Sequence, residues 1–428
     1  ATHLSNYPVS PTDRYQFENL NTMRSTIFAY IQILVMAAAL WSCTQTELPE
    51  QASSDKVFNP SKEDYISSEK AADYACHYIQ ELKGATRSDL KISSVKLYLS
   101  INSTRAEDTE GNPFYIVNCE DESGFAVIAA RECENPLYAV SDEGNLEIED
   151  TISNPGLAMF FDALSNQSLT PVAPVDTTFN PNPETSKSYT VVKKPMLCKY
   201  VRTWGQDNPF NALCPPIGNY MTACQPTGCT PLAIAQIMTF FEWPKTHNGH
   251  TYNWATMKNG NANQAAVLIK DLRDDLKTVY HGLTVGSGTN AANIGPSFYN
   301  FGYSNCGSGT AYSHGILKYL DSSNSFAKPI LIGGSCGSSS HTWVVDGYMC
   351  RVTDASENST GQTIYTYYLH CVWGSYGSGN GYYLVSNKIG GHRHDQDEDD
   401  IPYVGHDDKD NTTIYDSLVY WYTYSPRK

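Results

Sequence analysis

The chain has 428 residues, of which 41% are hydrophobic and 17% charged, and its formal net charge is -16. This length allows two domains of ordinary size, each with its own hydrophobic core. The acidic balance argues against a nucleic acid or an anionic membrane surface as a partner, because such partners are held by clustered Lys and Arg.

The first 60 residues carry a pattern typical of export. Residues 1–22 contain no start methionine and no apolar run, and we expect them to lie outside the fold. Residues 23–43 begin with a positive charge and continue into an apolar run of signal-peptide length, which is too short to cross a membrane comfortably. A small residue precedes Cys43, as in a bacterial lipobox with Cys43 as the lipidated residue. We expect an exported protein, either secreted or lipid-anchored to a bacterial outer membrane, with a polar tether over residues 44–60.

Residues 61–166 are predicted to form a small α+β domain. Small and apolar residues recur at helical spacing between Ser61 and Lys83, which predicts a helix. Short apolar or alternating runs bounded by Asn, Asp and Gly predict strands at Lys96 to Ile101, Phe114 to Cys119, Gly124 to Ala130 and Leu137 to Val140. No cluster of His, Cys and acidic residues in this part of the sequence indicates catalysis.

Residues 167–194 are predicted to be an exposed linker. Four prolines stand there among Thr, Asn and Ser, almost without apolar periodicity, and lysines flank the end of the segment. Exposed linkers are the segments that proteases cut. We therefore expect an activation cleavage in this linker, ahead of a second domain over residues 195–428.

Cys229 is the candidate nucleophile of the second domain. Apolar residues from Ile234 to Phe241 recur at helical spacing, so a helix is predicted to begin near Pro231 with Thr230 as its cap. Cys229 then lies just outside the helix N-terminus, where the helix dipole and unpaired N–H groups lower a thiol pKa. Gly228 leaves room for the carbonyl group of a substrate. Taken alone, such a cysteine is more often a small core residue without chemistry.

His341 is the candidate general base, and its position follows from a predicted hairpin. Residues 341–352 and 363–372 are predicted to be strands joined by a loop centred near Glu357, and Gly333 to Ser340 a flexible loop before them. Antiparallel pairing places His341 opposite Trp373, within about two residues, so that an indole covers the imidazole.

Two other histidines compete with His341 for this role. His370 lies inside a predicted strand and is more typical of a packed, structural histidine, and His314 has no neighbouring motif. The segment from His392 to Asp410 combines histidines with many carboxylates and can hold a divalent cation, although such a run is more often a solvated insertion. We assign no metal and no cofactor, since the sequence has no C-x-x-C pair either.

Four separated motifs together resemble the streptopain family of papain-like cysteine peptidases. They are Trp204-Gly205-Gln206, Gly228-Cys229-Thr230, Ser340-His341-Thr342-Trp343 and Val372-Trp373-Gly374. The first domain is similar to the streptopain propeptide, with the run Gly-Phe-Ala-Val-Ile-Ala-Ala followed by a strand that ends in Asp-Glu-Gly. The resemblance implies an α+β fold, in which a propeptide domain precedes a papain-like domain. A helical part then carries Cys229, and an antiparallel sheet carries His341.

The resemblance implies roles for individual residues. The Cys229 N–H and the Gln206 side chain would supply the two donors that acyl transfer requires for its oxyanion. The implied catalytic residues are Cys229, His341, Gln206 and Trp373, and the implied substrate-binding residues are Gly228, Gly286, Ser287, Gly288 and Ser340. The segment Cys306 to Gly309 competes with the Gly286 loop, because it has the same composition.

The motifs also depart from the family in three places. One is Ser375-Tyr376-Gly377, where another tryptophan is usual, and this departure bears on the shape of the cleft more than on the chemistry. Ser340 and Val372 stand where the family commonly has Gly and Asn, and a third triad residue is therefore not assigned. A backbone carbonyl can orient His341 instead, which leaves a Cys-His dyad.

The function implied is that of a secreted cysteine endopeptidase made as a zymogen. Its partners would be protein or peptide substrates and its own propeptide as an intramolecular inhibitor, with membrane contact only through a lipid anchor and no nucleic acid. One alternative is an amidase or acyltransferase with the same Cys-His chemistry, because a dyad alone does not define the acyl donor. Another is a non-catalytic binding lipoprotein whose site has decayed, which the departures at Ser340 and Val372 allow.

Overall fold

The computed structural model describes residues 65–84, 90–99, 112–133, 135–148, 152–166, 188–217, 220–280, 287–309, 316–323, 325–336, 339–357, 363–389, 412–413 and 418–427. All of them belong to one compact unit, Ser61–Lys428. No helix in these ranges has the length and apolar character that a membrane span requires. The segments proposed for export, lipidation and cation binding, together with most of the linker, lie outside the described residues.

The α-helices of the described residues alternate with short strands. They are α1 (Ser68–Lys83), α2 (Pro155–Asn166), α3 (Lys199–Arg202), α4 (Cys229–Phe241), α5 (Trp254–Lys258), α6 (Ala262–Leu276), α7 (Ile294–Asn300) and α8 (Leu317–Leu320).

The strands are all paired antiparallel. Those before the linker are β1 (Ile92–Tyr98), β2 (Phe114–Cys119), β3 (Phe125–Ala129) and β4 (Leu137–Ser141). Those after it are β5 (Tyr189–Lys193), β6 (Pro216–Ile217), β7 (Tyr220–Cys224), β8 (Thr246–His247), β9 (His250–Thr251), β10 (Val279–Tyr280), β11 (Ser287–Gly288), β12 (Tyr303–Gly309), β13 (Ile330–Cys336), β14 (Ser339–Thr353), β15 (Ile364–Val372), β16 (Gly381–Ile389), β17 (Thr412–Thr413) and β18 (Leu418–Pro426).

One sheet runs through both predicted domains. Its strand order is β1-β2-β3-β4-β16-β15-β14-β13-β18-β12, with β17 paired to β16 and β5 paired to β14. The N-terminal strands join the others where Tyr382 pairs with Val140 and Tyr383 with Ala139. The fold is therefore the expected α+β class with an antiparallel sheet. The domain boundaries at residues 61, 166 and 195 stay predictions.

Alternate residues of β14 contribute to two different hydrophobic cores. Trp343 and Val345 belong to a core that includes Phe160 of α2, whereas Val344 belongs to a core that includes Ile234 of α4. Side chains on a strand alternate between its faces, so α2 and α4 pack on opposite faces of the central sheet. The candidate site lies where these layers meet at the start of β14.

Several predicted elements are confirmed, and two predictions are wrong. The strand predicted at Lys96 to Ile101 begins four residues earlier, as β1 at Ile92. Helix α1 lies inside the predicted range, and β2, β3 and β4 match the predicted strands to within one residue at each end. The flexible loop predicted at Gly333 to Ser340 is wrong, because β13 continues to Cys336 and β14 begins at Ser339. Helix α2 was not predicted. Asp162 is the only charged residue in its sequence and apolar residues take most of its positions, so the helix has little of the polar face that reveals an amphipathic helix.

Candidate active site

Cys229 is the first residue of α4, and Gly228 is the N-cap at φ 86° and ψ 142°. This left-handed φ favours glycine. The expected start near Pro231 with Thr230 as the cap is wrong by two residues. The Thr230 hydroxyl donates instead to Thr342 Oγ1 at 3.1 Å, which ties the start of α4 to β14.

The start of α4 brings the Cys229 thiol to the imidazole of His341. Burial raises the pKa of Cys229, but the hydrogen bond and charge of His341, together with hydrogen bonds from Thr342, outweigh it and lower the pKa from an ordinary 9.0 to about 7. Burial lowers the pKa of His341, whereas Cys229 and a backbone hydrogen bond from Trp373 raise it, and the net direction is upward from 6.5. Opposite shifts of this kind favour a thiolate beside an imidazolium.

A backbone carbonyl orients the imidazole, as expected from the valine at position 372. His341 Nε2 lies 2.8 Å from the Trp373 carbonyl oxygen. A carbonyl oxygen only accepts, so Nε2 carries a proton and Nδ1 is the ring nitrogen left for Cys229.

The aromatic neighbours of His341 differ slightly from the predicted arrangement. Val344 pairs with Val372, and continuing this register brings Trp343 opposite Trp373, two residues from the predicted partner. The Trp343 ring lies nearly parallel to the imidazole, with centroids 6.1 Å apart and an interplanar angle of 9°. Trp343 contacts Trp373 in turn, with ring centroids 5.2 Å apart.

The loop that follows Trp373 is held by Asn380, which the sequence analysis did not single out. The Trp373 N–H donates to Asn380 Oδ1 at 3.1 Å, and the indole N–H donates to the Gly379 carbonyl at 3.0 Å. Asn380 Nδ2 donates to the Arg202 carbonyl at 2.9 Å. A buried asparagine therefore connects Trp373, whose carbonyl orients His341, to the segment leading to Gln206. In the sequence it stands in a Ser-Gly-Asn-Gly run, which indicates only a turn.

Gln206 lies beside the segment that leads into α4. Its backbone carbonyl accepts the Thr227 N–H at 2.8 Å, two residues before Cys229. The structure thus brings the backbone of the predicted oxyanion donor close to the predicted nucleophile. The first N–H groups of a helix have no partner within the helix, so the Cys229 N–H is available for a substrate oxygen.

Three of the predicted substrate-binding residues lie near Cys229 or His341. Ser287 Oγ donates to the Pro226 carbonyl at 2.9 Å, and a Cβ placed on Gly228 would lie 3.4 Å from Ser287 Cβ. Ser340 is exposed on β14 next to His341. Gly288 pairs with Val279 in the small β10-β11 sheet. Gly286 and the lipidation candidate Cys43 lie outside the described residues.

The rival His370 has a different set of partners. Its Nδ1 lies 2.6 Å from Asp346 Oδ1, and both side chains are buried. The other oxygen of Asp346 accepts the Leu197 N–H at 2.9 Å. This pair fastens the segment before α3 to β14, which fits the structural role predicted for His370.

The first turn of α2 packs against the same imidazole and indole. A Cβ added to Gly156 would lie 2.2 Å from Trp373 Cε3 and 2.9 Å from His341 Cδ2, so only a glycine fits. Asn154 Oδ1 accepts the Leu157 N–H at 3.2 Å, and its Nδ2 donates to the Ser378 carbonyl at 3.1 Å. An element from before the linker therefore covers His341 and Trp373.

Within the described part of the chain, no three His, Cys, Asp or Glu side chains converge as a metal site requires.

Known protein families match the chain both before and after the linker. The Peptidase C10 family matches residues 204–383, and the Spi protease inhibitor family matches residues 63–168. Among solved structures, a mutant prointerpain A fragment from Prevotella intermedia is 23% identical, with 68% of this chain and 91% of that chain covered and a TM-score of 0.45. Active interpain A from the same organism is 24% identical, with 47% and 89% covered and a TM-score of 0.34. None of the curated proteins matches the chain.

The fold and the family matches define a cysteine endopeptidase that is made as a zymogen, with its inhibitory domain ahead of the enzyme. The chain carries a peptidase C10 domain, that of the streptopain family, and a Spi-type propeptide inhibitor domain. Its partners accordingly include protein substrates and its own propeptide.

Proposed function

We propose that Cys229 is the nucleophile of this peptidase and His341 its general base. The observation that carries this proposal is the orientation of His341, whose Nε2 proton is held by the Trp373 carbonyl at 2.8 Å while the pKa of Cys229 is lowered to about 7. The Cys229 thiolate attacks the peptide carbonyl carbon, the peptide C–N bond breaks, and the imidazolium gives its proton to the leaving amine. Water then hydrolyses the thioester, with His341 as the base.

The Cys229 N–H and the Gln206 side chain would stabilise the oxyanion in both steps. Trp373 would act through its carbonyl, which fixes the imidazole, and its indole would pack behind Trp343, the ring that lies nearly parallel to the imidazole. Extended peptides would be bound along Gly228, Gly286, Ser287, Gly288 and Ser340.

Two buried histidines provide the test of the dyad, because each serves as the control for the other. We expect His341→Ala to abolish hydrolysis of a peptide substrate, and we expect His370→Ala to lower the melting temperature while active protein still cleaves the substrate. The expectation follows from their partners, which are Cys229 for His341 and Asp346 for His370. A folded but inactive His370→Ala protein beside an active His341→Ala protein would reverse the assignment.

The N-terminal domain is proposed to inhibit in cis and to be removed by a cut in the linker. Helix α2 covers His341 and Trp373, and a tethered inhibitor acts at high effective concentration until its tether is cut. Within the predicted window of residues 167–194, β5 is paired to β14. We therefore favour a cut between residues 167 and 188, before β5 begins.

Conversion of the chain over time tests this proposal. Wild-type protein should become shorter on a gel. N-terminal sequencing should show that the large fragment begins at or before Tyr189. Cys229→Ala should stay full length until active enzyme is added. Identical conversion of isolated Cys229→Ala would show that the protein does not process itself.

Export with lipidation of Cys43 is proposed from the sequence pattern of residues 23–43. Incorporation of a labelled fatty acid into the wild type, but not into Cys43→Ala, is the expected result. Equal labelling of both proteins, or of neither, would favour plain secretion or another attachment site.

A further inference from the structure

Tyr376 has a backbone conformation that its side chain makes costly. Its φ is 56°, in the left-handed region that bulky residues rarely adopt. Its side chain is 46% exposed, so burial in a core does not account for the residue. Strained conformations persist where surrounding contacts fix them, and they concentrate at functional sites. Tyr376 stands two residues beyond Gly374, in the loop that leaves Trp373.

The hydrogen bonds of Tyr376 go to residues on either side of Gln206, and its ring also packs near that of Phe210, with centroids 6.3 Å apart. Its N–H donates to the Trp204 carbonyl at 3.3 Å. Its phenolic oxygen accepts the Asp207 N–H at 3.0 Å and donates to the Asn208 carbonyl at 3.3 Å. One tyrosine therefore bonds the backbone on both sides of Gln206.

The Tyr376 ring also closes over Gly205. A Cβ placed on Gly205 would lie 2.4 Å from two ring carbons, so the ring lies directly on the backbone of this residue. Gly205 also forms a bridge with Ser375. The backbone of Gln206 itself is held by Thr227, whose N–H donates to the Gln206 carbonyl at 2.8 Å.

A glutamine side chain has several rotatable bonds, and a donor for an oxyanion must hold its position before the charge develops. Fixing the backbone on both sides of such a side chain restricts where its amide can point.

We propose that Tyr376 is a positioning residue that holds Gln206 for oxyanion binding, which rests on the proposed role of Gln206. Tyr376 acts through the backbone of residues 204–208 and does not touch the reacting atoms. The strain at φ 56° is retained because a glycine at this position, although free of strain, would have neither the ring nor the hydroxyl.

The test compares three variants with wild type, each produced as the full chain. Resin-bound active wild-type protein cuts the linker of every sample in the same way and is removed before the assay. Tyr376→Phe removes two hydrogen bonds and keeps the ring, and we expect kcat to fall about tenfold, a part of the 10²–10³ that loss of an oxyanion donor costs. Tyr376→Gly relieves the backbone strain and should still lower kcat by more than the phenylalanine variant. Tyr299→Phe, at another exposed tyrosine, should leave kcat unchanged.

Two readouts separate positioning from general damage. KM should change little, because the lost interaction is made in the transition state. Alkylation of Cys229 by iodoacetamide develops no oxyanion, so its rate should match that of the wild type. Slowed alkylation in Tyr376→Phe, in parallel with kcat, would overturn the proposal.

A double-mutant cycle tests whether Tyr376 acts through Gln206. Gln206→Ala alone should lower kcat by about 10²–10³, and adding Tyr376→Phe should then have less than about a twofold further effect. A tenfold loss in both backgrounds would overturn the positioning role. Normal turnover of Gln206→Ala would reject the proposed oxyanion donor itself, whereas a slow Gln206→Ala beside a normal Tyr376→Phe would reject only the present inference.

Discussion

At the scale of single residues, the site depends on how the charge of Cys229 is balanced. Burial disfavours a thiolate, and the imidazole of His341 and the hydrogen bonds of Thr342 outweigh that effect and lower the pKa. The imidazole in turn keeps its proton because Cys229 and the Trp373 backbone stabilise the charged ring. Each partner therefore sets the protonation state of the other.

The pH dependence of Cys229 alkylation measures this coupling. Thiolate forms as pH rises through the pKa of Cys229, so a lowered pKa gives a half-maximal rate near pH 7 in the wild type. In His341→Ala the contribution of the imidazole is lost while burial continues to raise the pKa, and we expect the midpoint to move upward from about 7. Peptide hydrolysis should rise with pH as the Cys229 thiolate forms. It should fall again at higher pH, where the His341 imidazolium, whose pKa is raised, loses its proton. An unchanged alkylation midpoint in His341→Ala would contradict the pairing.

Sequence patterns predicted some residues of the site correctly and missed the roles of others, for physical reasons. The hairpin that carries His341 follows from strand alternation and a polar loop, and its register was correct to two residues. Tyr376 stands at a departure from the family motif and Asn380 in a turn, but their roles could not be predicted, because both depend on bonds to backbone atoms more than 160 residues away along the chain. The start of α4 was misplaced because Thr230 resembles a helix cap, whereas the fold uses its hydroxyl to join β14.

At the scale of elements, α2 is the contact between the inhibitory domain and the site. Its first turn approaches His341 and Trp373 so closely that Gly156 has no room for a side chain. Asn154 both caps this helix and bonds the loop after Trp373, so the approach is fixed at two points. The docking of α2 thus depends on the absence of a single methyl group.

Gly156→Ala is therefore expected to weaken inhibition in the uncut chain. The new Cβ would lie 2.2 Å from Trp373 Cε3, so the helix must withdraw. Freshly purified full-length protein should hydrolyse a peptide substrate, or convert itself, at least about tenfold faster than wild type, as a loss of about 1.4 kcal/mol in docking implies. Gly295→Ala is the matched control, since its Cβ would meet no atom within 4 Å. After the cut the released enzymes should be identical, and equal latency of Gly156→Ala and wild type would exclude this contact as the inhibitory one.

At the scale of the whole molecule, the inhibitory domain is an extension of the enzyme's sheet. Strand β4 pairs with β16, so separating the domains breaks backbone hydrogen bonds as well as side-chain contacts. Arg351 of β14 provides a second attachment. Its guanidinium lies 4.4 Å from the Tyr78 ring centroid and 3.8 Å from Glu81, and it donates to Asn135 Oδ1 at 3.1 Å.

Arg351 is ten residues from His341 along an extended strand, a separation of about 33 Å, so it can affect docking without affecting chemistry. We expect Arg351→Ala to weaken docking by about 1–3 kcal/mol, because Tyr78 loses a cation–π contact and Asn135 loses a hydrogen bond to a charged group. The uncut variant should show faster conversion and earlier peptidase activity, while kcat of the cut enzyme stays at the wild-type value. Arg351→Lys keeps the charge without the planar contacts, so its rate of conversion should lie between those of wild type and Arg351→Ala. A reduced kcat in cut Arg351→Ala would mean that this end of β14 supports the site itself, and the sheet would then transmit more than docking.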